Sequence, residues 1–192
     1  MGRKEKLKAR SKASASITEN LKARWAAKNP ILLVLVVFGV LMSLFYAVWI
    51  TEFFKENIFN HVLHINAIIA SALLNLFGYG TVASGTDISS AQFSISVKRG
   101  CDAIEPIALF ASAVLAFPAT FQKKLPGIAI GVAFLLSVNM IRIISLFLTG
   151  LYAPAFFDIM HMEVWQVVFI LLALVCWIIW IRWSQQKGVV HA

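Results

Sequence analysis

Charge is scarce in this chain, and acid is scarcer still. Its 192 residues include nine Asp or Glu, charged residues of all kinds make up 14%, and hydrophobic residues make up 60%. A soluble domain of this length must maintain a polar surface, and there is too little polarity here for one. Lipid is the simplest solvent for such a chain. Cysteine is also rare, with only Cys101 and Cys176. They are expected at different membrane depths, which argues against a bridge between them. Cys176 lies deep in an apolar run and is expected to be an inert core residue. No internal repeat is visible. No small-x-small site follows the first apolar run, which is itself too long for a signal core, so it is not expected to be a cleaved leader.

What charge there is has been sorted along the chain. Nine Lys or Arg (Arg3, Lys4, Lys6, Lys8, Arg10, Lys12, Lys22, Arg24, Lys28) fall within residues 1–28, opposed only by Glu5 and Glu19, so this tail carries +7 of the net +8. A basic tail just ahead of an apolar run marks the cytoplasmic side of a first span and can rest on anionic lipid. The same distribution argues against nucleic acid as a partner. The expected organisation is a basic cytoplasmic tail, 1–28, followed by one membrane domain, 29–187.

The expected fold is an all-α integral membrane bundle of about four transmembrane helices, at 31–50, 103–121, 125–148 and 164–183, each close to the ~20 residues a bilayer core requires. Trp165, Trp177, Trp180 and Trp183 are expected in part at the interface. The segment 58–77 is apolar but contains His61, His64, Asn66, Ser71 and Asn75. If the basic tail, Lys123–Lys124 and Arg182 with Lys187 are all inside, this segment must begin and end outside. It then lies in the interface as an amphipathic helix, or dips in and returns. That leaves only Lys55, Lys98 and Arg99 outside, with Arg142 in the membrane. Between residues 78 and 100 the pattern changes to period two, with Phe93, Ile95 and Val97 alternating with Ser94, Ser96 and Lys98, and Ser84-Gly85-Thr86-Asp87 reads as a turn. A short β-hairpin on the outer face is expected, feeding into Cys101.

Three polar residues stand out against this apolar background. Cys101 follows Lys98-Arg99-Gly100 and precedes Asp102-Ala103-Ile104-Glu105-Pro106. Gly100 allows a sharp strand-to-helix turn. Asp102 with Glu105 resembles a capping box, and Pro106 suits a first helical turn. A cysteine at a helix start beside two basic residues is expected to favour the thiolate. Arg142 is embedded in an apolar run, where a central arginine costs roughly 2.5–3.5 kcal/mol on insertion scales. Asn139, Arg142, Leu146 and Thr149 share one helix face, which should turn inward. If that helix leaves the membrane near Leu148, Arg142 lies about 9 Å below the boundary and must snorkel outward. The bland reading is a structural ion pair with Glu105 or Asp102. His161 opens the last span on the same side as Cys101, and Trp165 at i+4 could pack on its ring. Together they make a nucleophile, a base that also protonates a leaving amine, and a cation for an oxyanion. His61 and His64 share a helix face, but no third ligand stands at metal-site spacing, so no metal or other cofactor is expected.

A resemblance attaches to these residues. Gly100-Cys101-Asp102-Ala103-Ile104-Glu105, Leu115-Ala116-Phe117-Pro118, Asn139-Met140-Ile141-Arg142-Ile143-Ile144-Ser145-Leu146-Phe147, and His161 with Trp165-Gln166 resemble the exosortase/archaeosortase family, closest to the short subgroup called exosortase H. The resemblance spans about residues 60–183. It implies a bacterial inner-membrane cysteine protease/transpeptidase whose active site faces the periplasm. Its expected substrates are exported proteins with a C-terminal sorting motif, a transmembrane helix and a basic tail, cleaved through a thioester. The implied catalytic residues are Cys101, Arg142 and His161, supported by Asn139, Glu105, Asp102 and Trp165. The chain departs from the family's Cys-x-Gly pattern, with Ala103 at the glycine position. The competing expectation is a non-catalytic membrane assembly or transport subunit in which Arg142 pairs with Glu105.

Overall fold

The computed structural model describes residues 30–52, 59–98 and 100–186. The basic tail 1–28, Lys55, Arg99 and Lys187 lie outside the described residues. Five helices and one small sheet follow in order: α1 (Pro30–Trp49), α2 (Asn60–Leu76), β1 (Val82–Ser84), β2 (Asp87–Ser89), β3 (Ser94–Ser96), α3 (Ile104–Ala116), α4 (Phe121–Tyr152) and α5 (Trp165–Gln185). The stretch between α4 and α5 is also helical: a 3₁₀ turn Pro154–Phe156, an α turn Phe157–Ile159 and a π turn Met160–Val164.

Among the described residues, three helices are long and apolar enough to cross a membrane: Pro30–Trp49, Phe121–Tyr152 and the continuous Pro154–Gln185. Lipid explains their surfaces. α1 has no buried residue, and Val167, Ile170, Leu171, Leu174 and Val175 of α5 are all exposed. The expected span at 103–121 is shorter than anticipated. It is the 13-residue α3, about 20 Å long, cut short because Phe117 turns extended ahead of Pro118. α3 packs against α1, α4 and α5, so its shortness is offset by burial inside the bundle. α4 has 32 residues, about 48 Å at 1.5 Å each, which exceeds a ~30 Å hydrocarbon core.

The expected hairpin is a three-stranded antiparallel meander in the order β1-β2-β3. Ser84 pairs with Asp87 around the Gly85-Thr86 turn, and Ile88 pairs with Ile95. α2 carries this sheet. His64 Nδ1 lies 2.6 Å from the Gly85 carbonyl, the Ser71 and Thr81 hydroxyls lie 2.9 Å apart, and the Asn75 amide donates to the Thr81 carbonyl at 2.7 Å. The polar residues of this helix therefore hold a loop and a sheet.

Two hydrophobic cores result. One joins Leu63, Ala70 and Leu74 of α2, Ile88, Val97 and Cys101 to Ile143, Leu146 and Phe147 of α4. The other lies within the bundle and joins Ala103, Phe110 and Val114 to Leu135, Val138, Phe169, Ala173 and Trp180. Trp180 is buried in this second core, and its indole N–H donates to the Lys123 carbonyl at 3.1 Å. At this end Lys124 Nζ donates to the Leu115 carbonyl at 2.6 Å, and Lys123 Nζ donates to the Ser184 carbonyl at 2.6 Å. Each ammonium satisfies carbonyls left over where a helix stops and opposes the negative end of its dipole. Cys101, just ahead of the start of α3, is at the other end.

Candidate active site

The chain changes core between residues 101 and 103. Cys101 belongs to the outer cluster and Ala103 to the inner one, so a tight turn must link β3 to α3. Gly100 takes φ +90 and Ala103 φ 61. Ala103 is the one non-glycine residue with positive φ among the described residues. Left-handed backbone costs an L-residue roughly 1–2 kcal/mol, which gives the Cys-x-Gly pattern a conformational reason: the third position needs a left-handed backbone. The turn is tied by Asp102. Its carboxylate accepts from the Ile104 N–H at 2.8 Å and from the Gly100 N–H at 3.2 Å. The expected capping box with Glu105 does not form. Ala103 lacks a hydroxyl or carboxylate to cap with, Asp102 takes that work from one residue earlier, and Glu105 is exposed.

α4 supplies the next two residues on its inward face. Asn139 is fully buried and Arg142 is 6% exposed. Asn139 Nδ2 donates to the Cys101 carbonyl at 3.0 Å, and Arg142 Nη1 donates to the Gly100 carbonyl at 2.5 Å. Arg142 Nη2 reaches the His161 carbonyl at 3.4 Å, and the guanidinium sits 5.5 Å from the centre of the Phe169 ring. The depth of Arg142 is therefore no barrier to reaching Cys101's loop. The alternative ion pair with Glu105 or Asp102 is not formed among the described residues; the guanidinium donates to the Gly100 and His161 carbonyls instead. Two buried polar atoms here have no partner among the described residues: Arg142 Nε and Asn139 Oδ1.

His161 comes from the π turn. Its Nδ1 stands 3.6 Å from Cys101 Sγ. Its ring stacks on Phe157 at 5.8 Å and 15°, not on Trp165 as expected. A π turn advances more residues per revolution than an α-helix, so i+4 is no longer directly above. Trp165 instead meets Phe169 at 6.2 Å, and its indole N–H is buried without a partner among the described residues.

The electrostatics correct another expectation. Burial pushes the Cys101 thiol above its ordinary range, and the Asp102 charge adds to this. The Arg142 charge and the Lys98 backbone pull it down without reversing the net direction. A helix start and basic neighbours therefore do not create a resting thiolate. Lys98 is exposed, and burial of the sulfur outweighs the distant charges. The Asp102 carboxyl is also pushed up by burial, against the pull of its two N–H donors and Arg142. Cys176, the second free cysteine, is half-buried beside an apolar cavity on α5.

Two cavities flank the Cys101–His161 pair. One of about 510 Å³ opens between β3 and the Pro154–His161 stretch and is lined by Cys101. The other, about 370 Å³, lies among α1, α3 and α5 and is lined by Arg142 and Glu105. His161 lines both. The cluster thus unites Cys101, Arg142 and His161, with Asn139 and Asp102 holding the turn, while Glu105 stands apart at the rim of the second cavity.

The model of the family described as transmembrane exosortase (Exosortase_EpsH) matches residues 23–179. No curated protein and no solved structure matches the chain.

Proposed function

Because the chain belongs to the transmembrane exosortase family, we propose that it is a membrane-embedded cysteine protease/transpeptidase that cleaves C-terminal sorting signals of exported proteins. The observation that carries this reading is the 3.6 Å approach of Cys101 Sγ to His161 Nδ1. Cys101 starts as a thiol. His161 Nδ1 accepts its proton as sulfur attacks the carbonyl carbon of the cut bond. The oxyanion forms in the field of Arg142, whose Nε has no partner among the described residues, in surroundings where charge is poorly screened. His161 then gives the proton to the leaving amine, the C–N bond breaks, and a thioester on Cys101 remains. An acceptor amine or water attacks the thioester and regenerates the thiol.

Asn139 and Asp102 are positioning residues, since both bond to the turn that presents Cys101. Trp165 packs beside Phe169, over which Arg142 sits.

The proposed setting is the bacterial inner membrane, with both termini cytoplasmic and the site periplasmic. Support comes from charge placement. Lys123 and Lys124 cap helix ends opposite the Cys101 turn, and the positive-inside rule puts that end in the cytoplasm. In the same reading α2 stays on the outer side, since its contacts run to the sheet and to Ile143, Leu146 and Phe147 of α4. The substrates are exported proteins ending in a sorting motif, a transmembrane helix and a basic tail.

The test is Cys101→Ala in the full chain, expressed in its host with a tailed exported protein. The expected result is a variant that accumulates in the membrane and leaves the tail uncut. Continued cutting would falsify the mechanism.

A further inference from the structure

β3 is an edge strand with an open side. The Ser90 N–H donates to the Phe93 carbonyl and the Val97 N–H donates to the Thr86 carbonyl, both at 2.8 Å. Backbone groups alternate in direction along an antiparallel ladder, so Phe93, Ile95 and Val97 face β2. The N–H and C=O groups of Ser94 and Ser96 then face outward, where no fourth strand lies among the described residues. Native sheets protect such an edge or use it. This one borders the 510 Å³ cavity, with Phe157 and Asp158 on the facing wall, Leu146 between, and Cys101 and His161 also in the lining. The Cys101 N–H donates to the Lys98 carbonyl at 3.0 Å, so the thiol follows the C-terminal end of β3.

We infer that the substrate segment just before the cut bond docks as a fourth strand along the open edge of β3 and runs parallel to it. The inference rests on the proposed function, because it takes Cys101 as the nucleophile. The direction follows from the two cavities. The chamber on the Arg142 side is lined by Leu109, Ile170 and Ala173 of the bundle, so it suits the residues that lead into the substrate's own transmembrane helix. The β3 side belongs to the sheet and receives the residues ahead of the cut. Substrate and β3 then both run toward Cys101. Main-chain bonds to Ser94 and Ser96 supply affinity, and alternate substrate side chains enter the cavity. This recognition reads an extended backbone first and side chains second. Ser94 is exposed and Ser96 half-buried, so the edge is reachable.

The experiment uses the full chain in host membranes with Cys101→Ala and Cys176→Ala, so that substrate is held uncut. Ser94→Cys or Ser96→Cys is added. The probe is a tailed exported protein of the same host bearing single cysteines through the segment around its cut site, which is located by mass spectrometry of the product made by the unaltered enzyme. Disulfide capture is expected at every second residue on the N-terminal side of the cut, with the Ser94→Cys pattern displaced about two residues farther from the cut than that of Ser96→Cys. Capture only on the C-terminal side, capture with no two-residue alternation, or no capture overturns the strand. In parallel, Ser96→Pro keeps Cys101 and removes only an outward N–H. It is expected to cut at least tenfold more slowly, while Cys101 still reacts with a small thiol reagent. Loss of cutting with Cys101→Ala together with normal cutting by Ser96→Pro would sink the strand and leave the enzyme reading standing.

Discussion

Cys101 Sγ and His161 Nδ1 lie 3.6 Å apart across 60 residues of chain, and each is delivered by an irregular piece of backbone. Cys101 follows a glycine at φ +90 and precedes an alanine at φ 61. His161 sits in a five-residue π turn. The regular helices supply the frame, and the departures from regularity aim the two side chains.

The raised thiol gives a pH prediction. A buried thiol pushed above its ordinary range is protonated at neutral pH, so alkylation of Cys101 should be slow there and rise with a midpoint on the alkaline side of a free cysteine. Asp102 raises the thiol and Arg142 lowers it. Asp102→Asn should therefore move the profile to lower pH, and Arg142→Gln should move it higher. Iodoacetamide rates between neutral and alkaline pH, measured in a Cys176→Ala background, read both shifts. Shifts of the opposite sign would refute the assignment of these charges.

Arg142 is expected to matter twice. Arg142→Leu removes the donor to the Gly100 carbonyl and the charge over the reacting carbonyl. Loss of one such stabilising group typically lowers turnover by on the order of 10²–10³. Arg142→Lys keeps the charge but not the planar fork that spans Gly100 and His161, so its recovery should be partial. Processing assays on both variants, matched for membrane accumulation, make the comparison. Full activity in Arg142→Leu would exclude the residue from the chemistry.

Much of this site was legible because its residues are expensive where they stand. An arginine in an apolar run needs partners, and the stripe of Asn139, Arg142, Leu146 and Thr149 did turn inward, with the first three buried and Thr149 half-buried. The changes of period at 93–97 marked a strand. What stayed hidden depends on distance in space. Asp102 was legible as a cap and does accept from the Ile104 N–H, but the left-handed turn at Ala103 and the exposure of Glu105, which leave the box half-made, were not. A π turn leaves no mark in hydrophobic period, so Trp165 was expected on the wrong ring. Burial of Cys101 comes from α2 and α4, both remote in sequence, and it outweighs the basic residues beside it.

Ala103 offers a conformational test. Glycine there would relieve the left-handed penalty of roughly 1–2 kcal/mol. It would also lose a buried methyl worth about 0.8 kcal/mol and gain about 0.5–1 kcal/mol of unfolded-chain freedom. Ala103→Gly should therefore stay within about 1 kcal/mol of the starting protein in thermal unfolding in detergent. Ala103→Val meets both a forbidden backbone and a full core, at a cost of about 1–3 kcal/mol from overpacking alone. Equal melting of the Gly and Val variants would contradict the φ of 61.

Sidedness is open to direct labelling. In a Cys176→Ala background, a membrane-impermeant thiol reagent should reach Cys101 from the periplasm, with the rate rising at alkaline pH. A cysteine at Gln122 should react only after the membrane is opened. Reporter fusions at Gln122 and at the C-terminus should both report cytoplasm. The prediction rests on the two lysines that cap α3 and α5 at the end away from Cys101. Labelling of both positions from one side would require either α3 or the capping lysines to be placed otherwise.

The π turn makes the sharpest demand. Met162 is 63% exposed, so deleting it removes no core contact, but it converts the wide turn toward an ordinary α turn. One residue corresponds to about 100° of rotation at 3.6 residues per turn. The stretch carrying His161 and Phe157 would then swing relative to α5, and Nδ1 would leave Cys101. Deletion of Met162 should abolish processing while the chain still accumulates in the membrane, whereas Met162→Ala, which keeps the register, should retain most of the processing activity. If the deletion variant still cuts, the wide turn is not what aims the histidine, and the Cys101–His161 approach would have to be re-formed by another backbone path.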